Sequence, residues 1–280
     1  MTSKTTIIER DLHQRDTPLQ IKGDLVIQGD ILEKSEIKVG GNLKVFGGIQ
    51  QAKIETRRHL IVEQGIAHGS EVVVNGSTKS GFIEKSAVHS RGDIIIQNSA
   101  MRAELNAGRN IILSNGIIVG GTAWASEKIV AQRIGSSAGI VTSLSVGIHP
   151  KIRRNCQKIQ VLMKQLEADL EVLDKNILFL ENADVSTLSS RSHQLYQQLP
   201  EMKSKQKKQK QQQKQSRHNL AQLLKLAKSR RPTDPHILVH DTVFEKVKIE
   251  IGWHQFSVTQ LFQKVAFKIK NGHIYLADLA

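Results

Sequence analysis

The sequence is most informative first through what it has little of. Cys156 is the only cysteine in 280 residues, so no disulfide closes within the chain, and a reducing, cytoplasmic setting is expected. Aromatic residues make up only 4%, too few for stacked bases and consistent with thin layers filled by Ile, Leu and Val. No apolar run approaches the length of a membrane span, and Met1-Thr2-Ser3-Lys4-Thr5-Thr6 has no apolar stretch after its positive charge, so neither a span nor an export signal is expected. Hydrophobic residues at 39% still provide for one large core or two modest ones.

Chemistry-bearing constellations are equally scarce. His236 and His240 stand four apart in His-Ile-Leu-Val-His, where a strand would separate the rings by ~13 Å and leave no shared metal. Asp and Glu are scattered, with no converging pair of the kind glycoside hydrolysis needs. The run Asn75-Gly76-Ser77-Thr78-Lys79-Ser80-Gly81 has phosphate-loop residues but the wrong glycine spacing, and it is followed by strand-like Phe82-Ile83-Glu84, which favours a bulged layer or surface loop. The expectation is a non-enzymatic protein with no cofactor, no metal and no small-molecule substrate.

What is present is a repeat. Ile31, Ile49, Ile66, Ile83, Ala100, Ile117 and Ile134 recur with one step of 18 and five of 17. Leu19, Ile37, Ile54, Val72, Val88, Leu105 and Ala123 form a second column, and Leu25, Leu43, Leu60, Thr78, Ile94, Ile111 and Ile129 a third. Two weaker columns follow two residues later, beginning at Ile21 and Ile27. Spacing of i and i+2 within each unit is strand periodicity. Units this short cannot bury their own apolar face, so they must stack as the turns of a parallel β-solenoid, with a right-handed β-helix expected. Gly23-Asp24, Gly41-Asn42 and Gly92-Asp93 precede the third column at one offset. They are expected to turn the chain, Gly by positive φ and Asp or Asn by bonding its own backbone.

After Pro150 the period becomes a heptad. Ile152, Ile159, Leu166, Leu173 and Leu180 alternate with Cys156, Met163, Leu170 and Ile177 in a 3 and 4 spacing, the seam of a coiled-coil helix. Cys156 belongs to that seam and is expected to pack there, its thiol unreactive. Asn182-Ala183-Asp184 ends this helix, residues 185 to 198, with Leu188, Leu195 and Tyr196, form a short tip helix, and Pro200 starts a returning helix to about Arg230. The predicted organisation is an N-terminal extension over 1 to 18, a β-solenoid over 19 to 150, an antiparallel hairpin over 151 to 231, and a returning β segment over 232 to 280 that adds a last turn or a cap.

The net charge of +14 belongs to the hairpin: residues 1 to 150 carry +3, residues 151 to 231 carry +11, and the remainder balances. Lys203, Lys205, Lys207, Lys208, Lys210, Lys214 and Arg217 form a basic patch, alternating with Gln, opposite Leu166, Leu170, Leu173 and Ile177. Those four apolar residues therefore lack apolar partners within the hairpin. Either Lys and Gln stems or the tip cover them, or a second copy or another protein docks on them.

Three strings give the chain a resemblance. They are Gly41-Asn42-Leu43-Lys44-Val45-Phe46-Gly47-Gly48-Ile49, Phe82-Ile83-Glu84-Lys85-Ser86-Ala87-Val88, and Ile134-Gly135-Ser136 followed by Thr142, Val146, Gly147 and Pro150. In these, and in the order of its parts, the chain resembles the flagellar assembly protein A (FapA) family of bacteria, with Lys85 and Ser86 where that family usually has Asn and Ala. The resemblance implies a β-solenoid carrying an inserted helical hairpin and a role in flagellar assembly or cell-pole organisation. The reading that follows is a scaffold presenting a basic coiled-coil arm for protein association. Its alternatives are a self-polymerising solenoid resembling bactofilins, and attachment to nucleic acid or anionic membrane through the arm.

Overall fold

The computed structural model describes residues 4–182, 196–230 and 232–279 and divides the chain into two units. One comprises Met1–Pro150 with Arg230–Ala280, and the other Lys151–Ser229. The first is a parallel β-solenoid of about eight turns. Each turn has three short sides, and every side pairs in register with the same side of the next turn.

The predicted columns are the core of this rod. Leu25, Leu43, Leu60, Thr78, Ile94, Ile111 and Ile129 pair in succession along one side and continue into Ile237. Leu19 through Ala123 do so along another, continuing into Leu144 and Ile249. The third side stacks Leu12, Ile31, Ile49, Ile66, Ile83, Ala100, Ile118 and Ile134. Here Ile118 replaces the expected Ile117. The turn containing Leu113-Ser114-Asn115-Gly116 is one residue longer than its neighbour, because Ile95 pairs with Ile112 while Ser99 pairs with Ile117. That extra residue slips Ile117 to the partly exposed face and brings Ile118 into the core. Each fully buried Ile or Leu contributes roughly 1.5–3 kcal/mol of apolar burial.

Residues 1 to 18 are not the separate extension expected. Thr5–Ile8 pairs with Asp24–Ile27, and Leu12 caps the column of Ile31, so this segment is the first turn. It escapes the periodicity because a single 3-10 turn at Gln14–Asp16 lengthens the step to the next layer. At the other end the returning segment makes both a turn and a cap. His236–Val243 and Val247–Ile251 pair parallel with Lys128–Ile134 and Thr142–Val146. Phe262–Lys270 and His254–Ser257 then add antiparallel, while Phe256, Phe262 and Phe267 close over the core with ring centroids 5.7–6.5 Å apart.

The corners work differently from expectation. Asp24 does not bond its own backbone. Its Oδ1 accepts from the N–H of Asn42 in the next turn (2.6 Å), and the same relay continues through Asn42 to His59, His59 to Ser77, Ser77 to Asp93 and Asp93 to Asn110. Gly41 is required by this close stacking rather than by positive φ, since a Cβ there would overlap the Asp24 carboxylate. Positive φ lies at another corner, in a column of non-glycine residues: Lys34, Gln51, His68, Lys85 and Arg102, with φ from 44° to 59°.

The polar layer at Thr78 and Ser80 is fully buried and internally satisfied. Thr78 and Ser90 share a hydroxyl hydrogen bond of 2.6 Å, and Ser80 Oγ donates to the Phe82 carbonyl. With Thr78–Glu84 paired on both sides and bulged between Ser80 and Phe82, no phosphate loop forms.

The second unit consists of helix α1 (Pro150–Glu181) and helix α2 (Leu199–Ser229). The tip helix expected over 185 to 198 falls largely on residues 183–195, which lie outside the described residues.

Candidate interaction surface

Three ion pairs set the register of the hairpin. Lys203 Nζ lies 2.6 Å from Glu181, Lys210 3.4 Å from Asp174, and Arg217 3.6 Å from Glu167. Each heptad step forward along α2 is matched by a heptad step back along α1, so the helices are antiparallel. Gln206 and Gln213 reinforce the ladder by donating to Asp174 and Glu167. The hydrogen bond from Gln206, aided by the charge of Lys210, holds the Asp174 carboxyl below its ordinary range. Exposed pairs of this kind add little stability, ~1 kcal/mol or less each, but they exclude other registers.

This register turns Met202, Gln206, Gln209, Gln213, Ser216, Leu220, Leu223 and Ala227 toward α1, the positions at which α2 is least exposed. Gln206, Gln209, Gln213 and Ser216 consequently lie opposite Ile177, Leu173, Leu170 and Leu166. Of the two alternatives left open for the four apolar residues, their burial at 5–8% exposure within the single chain answers to cover by the hairpin itself. Long Gln stems cover the seam as apolar side chains would, while their amides reach the acidic flank. The fit is imperfect, since Gln209 Oε1 is buried with no hydrogen-bond partner among the described residues. Cys156 is also buried in its helix, and burial pushes its thiol pKa up against the opposing charge of Arg153.

The basic patch divides in two. Lys203, Lys210 and Arg217 serve the ladder, whereas exposed Lys205, Lys207, Lys208 and Lys214 make no ion pair among the described residues. A second feature escaped the sequence reading. Val161, Val172 and Phe179 are 71%, 59% and 63% exposed, and steps of 11 and 7 place them along one side of α1 away from its seam. Exposed Lys158 and Lys164 flank Val161. The seam heptad masked this outer stripe, although its spacing was there to be read.

Among the described residues no group of three or more His, Cys, Asp or Glu is placed to hold a metal, and no helix is long and apolar enough to cross a membrane. His236 and His240 both lie on the strand His236–Val243, and His236 Nδ1 sits 3.4 Å from Asp234. Stacked parallel turns interrupted by two helices and completed by a returning strand define a structural β-solenoid protein. The flagellar assembly protein A β-solenoid domain matches residues 19–274, and the chain belongs to that family. No curated protein and no solved structure matches it.

Proposed function

We propose that this chain is a non-enzymatic scaffold of flagellar assembly, acting in the cytoplasm, whose hairpin captures an acidic, amphipathic protein element. The observation that carries the reading is the division of the cations. The register is already held by Lys203, Lys210 and Arg217, so Lys205, Lys207, Lys208 and Lys214 are surplus to folding. Together with the outer stripe of Val161, Val172 and Phe179 on α1, whose Val161 end is flanked by Lys158 and Lys164, they give this unit both exposed apolar contact and unspent positive charge. Two hairpins at +11 each would repel, which favours a different, acidic partner over self-association through the arm. A bactofilin-like filament is disfavoured by the antiparallel cap at one end of the rod.

Attachment to nucleic acid or anionic lipid is a second reading, favoured by the same four unpaired lysines. The test measures capture of flagellar proteins from lysate, and binding to duplex DNA and to phosphatidylserine vesicles, at ~0.15 M salt where surface charges are screened within about 8 Å. The proposal expects a retained protein partner lost in a Val172→Gln, Phe179→Gln variant, with weak polyanion binding. Strong polyanion binding lost on neutralising the four lysines, with no retained protein, would replace it.

A further inference from the structure

One side of the solenoid carries an outward surface that the core does not use. Ile61 lies between buried Leu60 and Val62, and Ile95 between buried Ile94 and Ile96, so strand alternation turns both outward. Their ladder partners set Lys44, Ile61, Lys79, Ile95 and Ile112 in one outward row, one residue per turn. Ile61 and Ile95 are 36% and 37% exposed, and exposed Phe46 extends the apolar surface beside Lys44, whose Nζ sits 4.1 Å from the ring centroid. Three or four residues earlier in the same turns stand Arg58, Arg91 and Arg109. Arg58 and Arg109 share a corner column with Gly76 and Gly92, where the backbones stack so closely that a Cβ on Gly76 would meet the Arg58 carbonyl at 2.6 Å. The charges here are unevenly engaged. Asp24 and Asp93 accept from the backbone and side-chain N–H groups of Asn42 and Asn110, and Glu63 pairs with Lys44 at 3.2 Å. Arg109 lies 3.8 and 3.9 Å from Asp93 and Glu127, whereas exposed Arg58, Arg91 and Lys79 make no ion pair among the described residues.

We propose that this face docks an amphipathic α-helix of another protein, lying along the rod with apolar side chains on Ile61, Ile95 and Ile112 and an acidic flank against Arg58, Arg91 and Lys79. Spacing and charge select that occupant. Stacked turns are ~4.8 Å apart, so Ile95 and Ile112 fall about 10 and 14 Å beyond Ile61, close to the ~10.5 and ~15 Å that separate helix positions i+7 and i+10 from i. Unpaired guanidinium groups beside an apolar row complement carboxylates, which they bind through two parallel hydrogen bonds. A second copy would instead bring the same cations together. Ile61 and Ile95 expose only about a third of their surface on a sheet, too little to reach the ~5–10 Å depth at which apolar groups enter a membrane. The face lies wholly within the solenoid, so its occupancy is separate from capture by the hairpin.

The test is fluorescence anisotropy at ~0.15 M salt, with the intact chain and a labelled helical peptide carrying Leu at i, i+3, i+7 and i+10 and Glu along one flank. Ile61→Thr with Ile95→Thr, which keeps β-branching in the strands, should weaken binding roughly tenfold or more with little change in melting temperature. Arg58→Gln with Arg91→Gln should do the same, and a peptide with Lys in place of Glu should bind at least tenfold more weakly to the parent. Both losses should persist when Val172→Gln and Phe179→Gln are also present, which separates this face from the hairpin. Should the threonine pair fold poorly, the glutamine pair reads the same face. No binding of the acidic peptide, equal affinity in both solenoid variants, or a loss seen only with the hairpin variant would overturn the proposal. Binding to phosphatidylserine vesicles, or a dimer in sedimentation velocity, that disappears with Ile61→Thr and Ile95→Thr would overturn it in favour of lipid or a second copy.

Discussion

The solenoid and the hairpin are both repeats, yet they fill their central seams with different residues. In the solenoid the stacked columns are almost wholly Ile, Leu and Val, and the few polar residues within them are hydrogen-bonded: Thr78 meets Ser90 and Thr56 Oγ1 donates to the Gly41 carbonyl. Nearer the corners Ser35, Asn106, Asn110 and Ser145 each keep a buried side-chain oxygen without a partner among the described residues. In the hairpin the central seam sets three glutamines and a serine against four aliphatic side chains and leaves Gln209 Oε1 unpaired. The solenoid spends its sequence on stability, and the hairpin spends part of its own on charge and register. A rod with columns of Ile and Leu is a frame. A two-helix arm with a polar middle is held more weakly and gives more of its surface to a partner.

The largest expected effect breaks the frame. Ile66→Asp places a charge at a position with 0% exposure between Ile49 and Ile83, and should cost more than about 4 kcal/mol and unfold the solenoid. A soluble variant that melts cooperatively near the parent temperature in circular dichroism would contradict this. Next in size is a change that makes the arm more like the frame. Gln209→Leu removes an unpaired buried carbonyl and adds an apolar partner for Leu173, and should stabilise the hairpin by about 1–3 kcal/mol. Helical denaturation followed in urea would show a higher midpoint, whereas a lower one would mean that the polar seam is itself stabilising.

A smaller effect separates corner geometry from corner chemistry. Arg102 holds φ of 50°, where a side chain is strained and glycine is not, so Arg102→Gly should raise stability by roughly 0.5–1 kcal/mol. Unchanged or reduced thermal stability would indicate that the guanidinium itself contributes to folding. Acid should act last and on the arm. Because the Asp174 pKa is lowered by folding, its contribution is present above the unfolded value of about 4 and is lost as pH falls through the folded value. Hairpin stability should therefore fall below about pH 4 in the parent and lose that component in Asp174→Asn.

Most of the frame was legible in the sequence because a parallel stack demands the same residue class at the same offset every turn. The column from Leu19 to Ala123 pairs without a slip. Legibility failed where the step changed: at the first turn, lengthened by Gln14–Asp16, and at Ile118, displaced by the extra residue near Gly116. Corner chemistry was misread for another reason. Asp24 and Gly41 look like local turn residues, but their partners lie a full turn away, and no local pattern distinguishes the two. The arm was legible as a heptad seam. Its covering by glutamine stems was not, since Gln206, Gln209 and Gln213 read as solvated until the Lys203, Lys210 and Arg217 ladder fixes which face turns inward.

The contrast between frame and arm is tested most directly by native-state hydrogen exchange on the intact chain, read by mass spectrometry. Amides of Leu60–Ala67 and Ile94–Ala107 should exchange only on global unfolding, while those from Gln206 to Ser216 should exchange on the order of a hundredfold faster through local opening of α2. Equal protection of the two regions would contradict the account, because it would make the chain one cooperative unit rather than a rigid solenoid carrying a separately held arm.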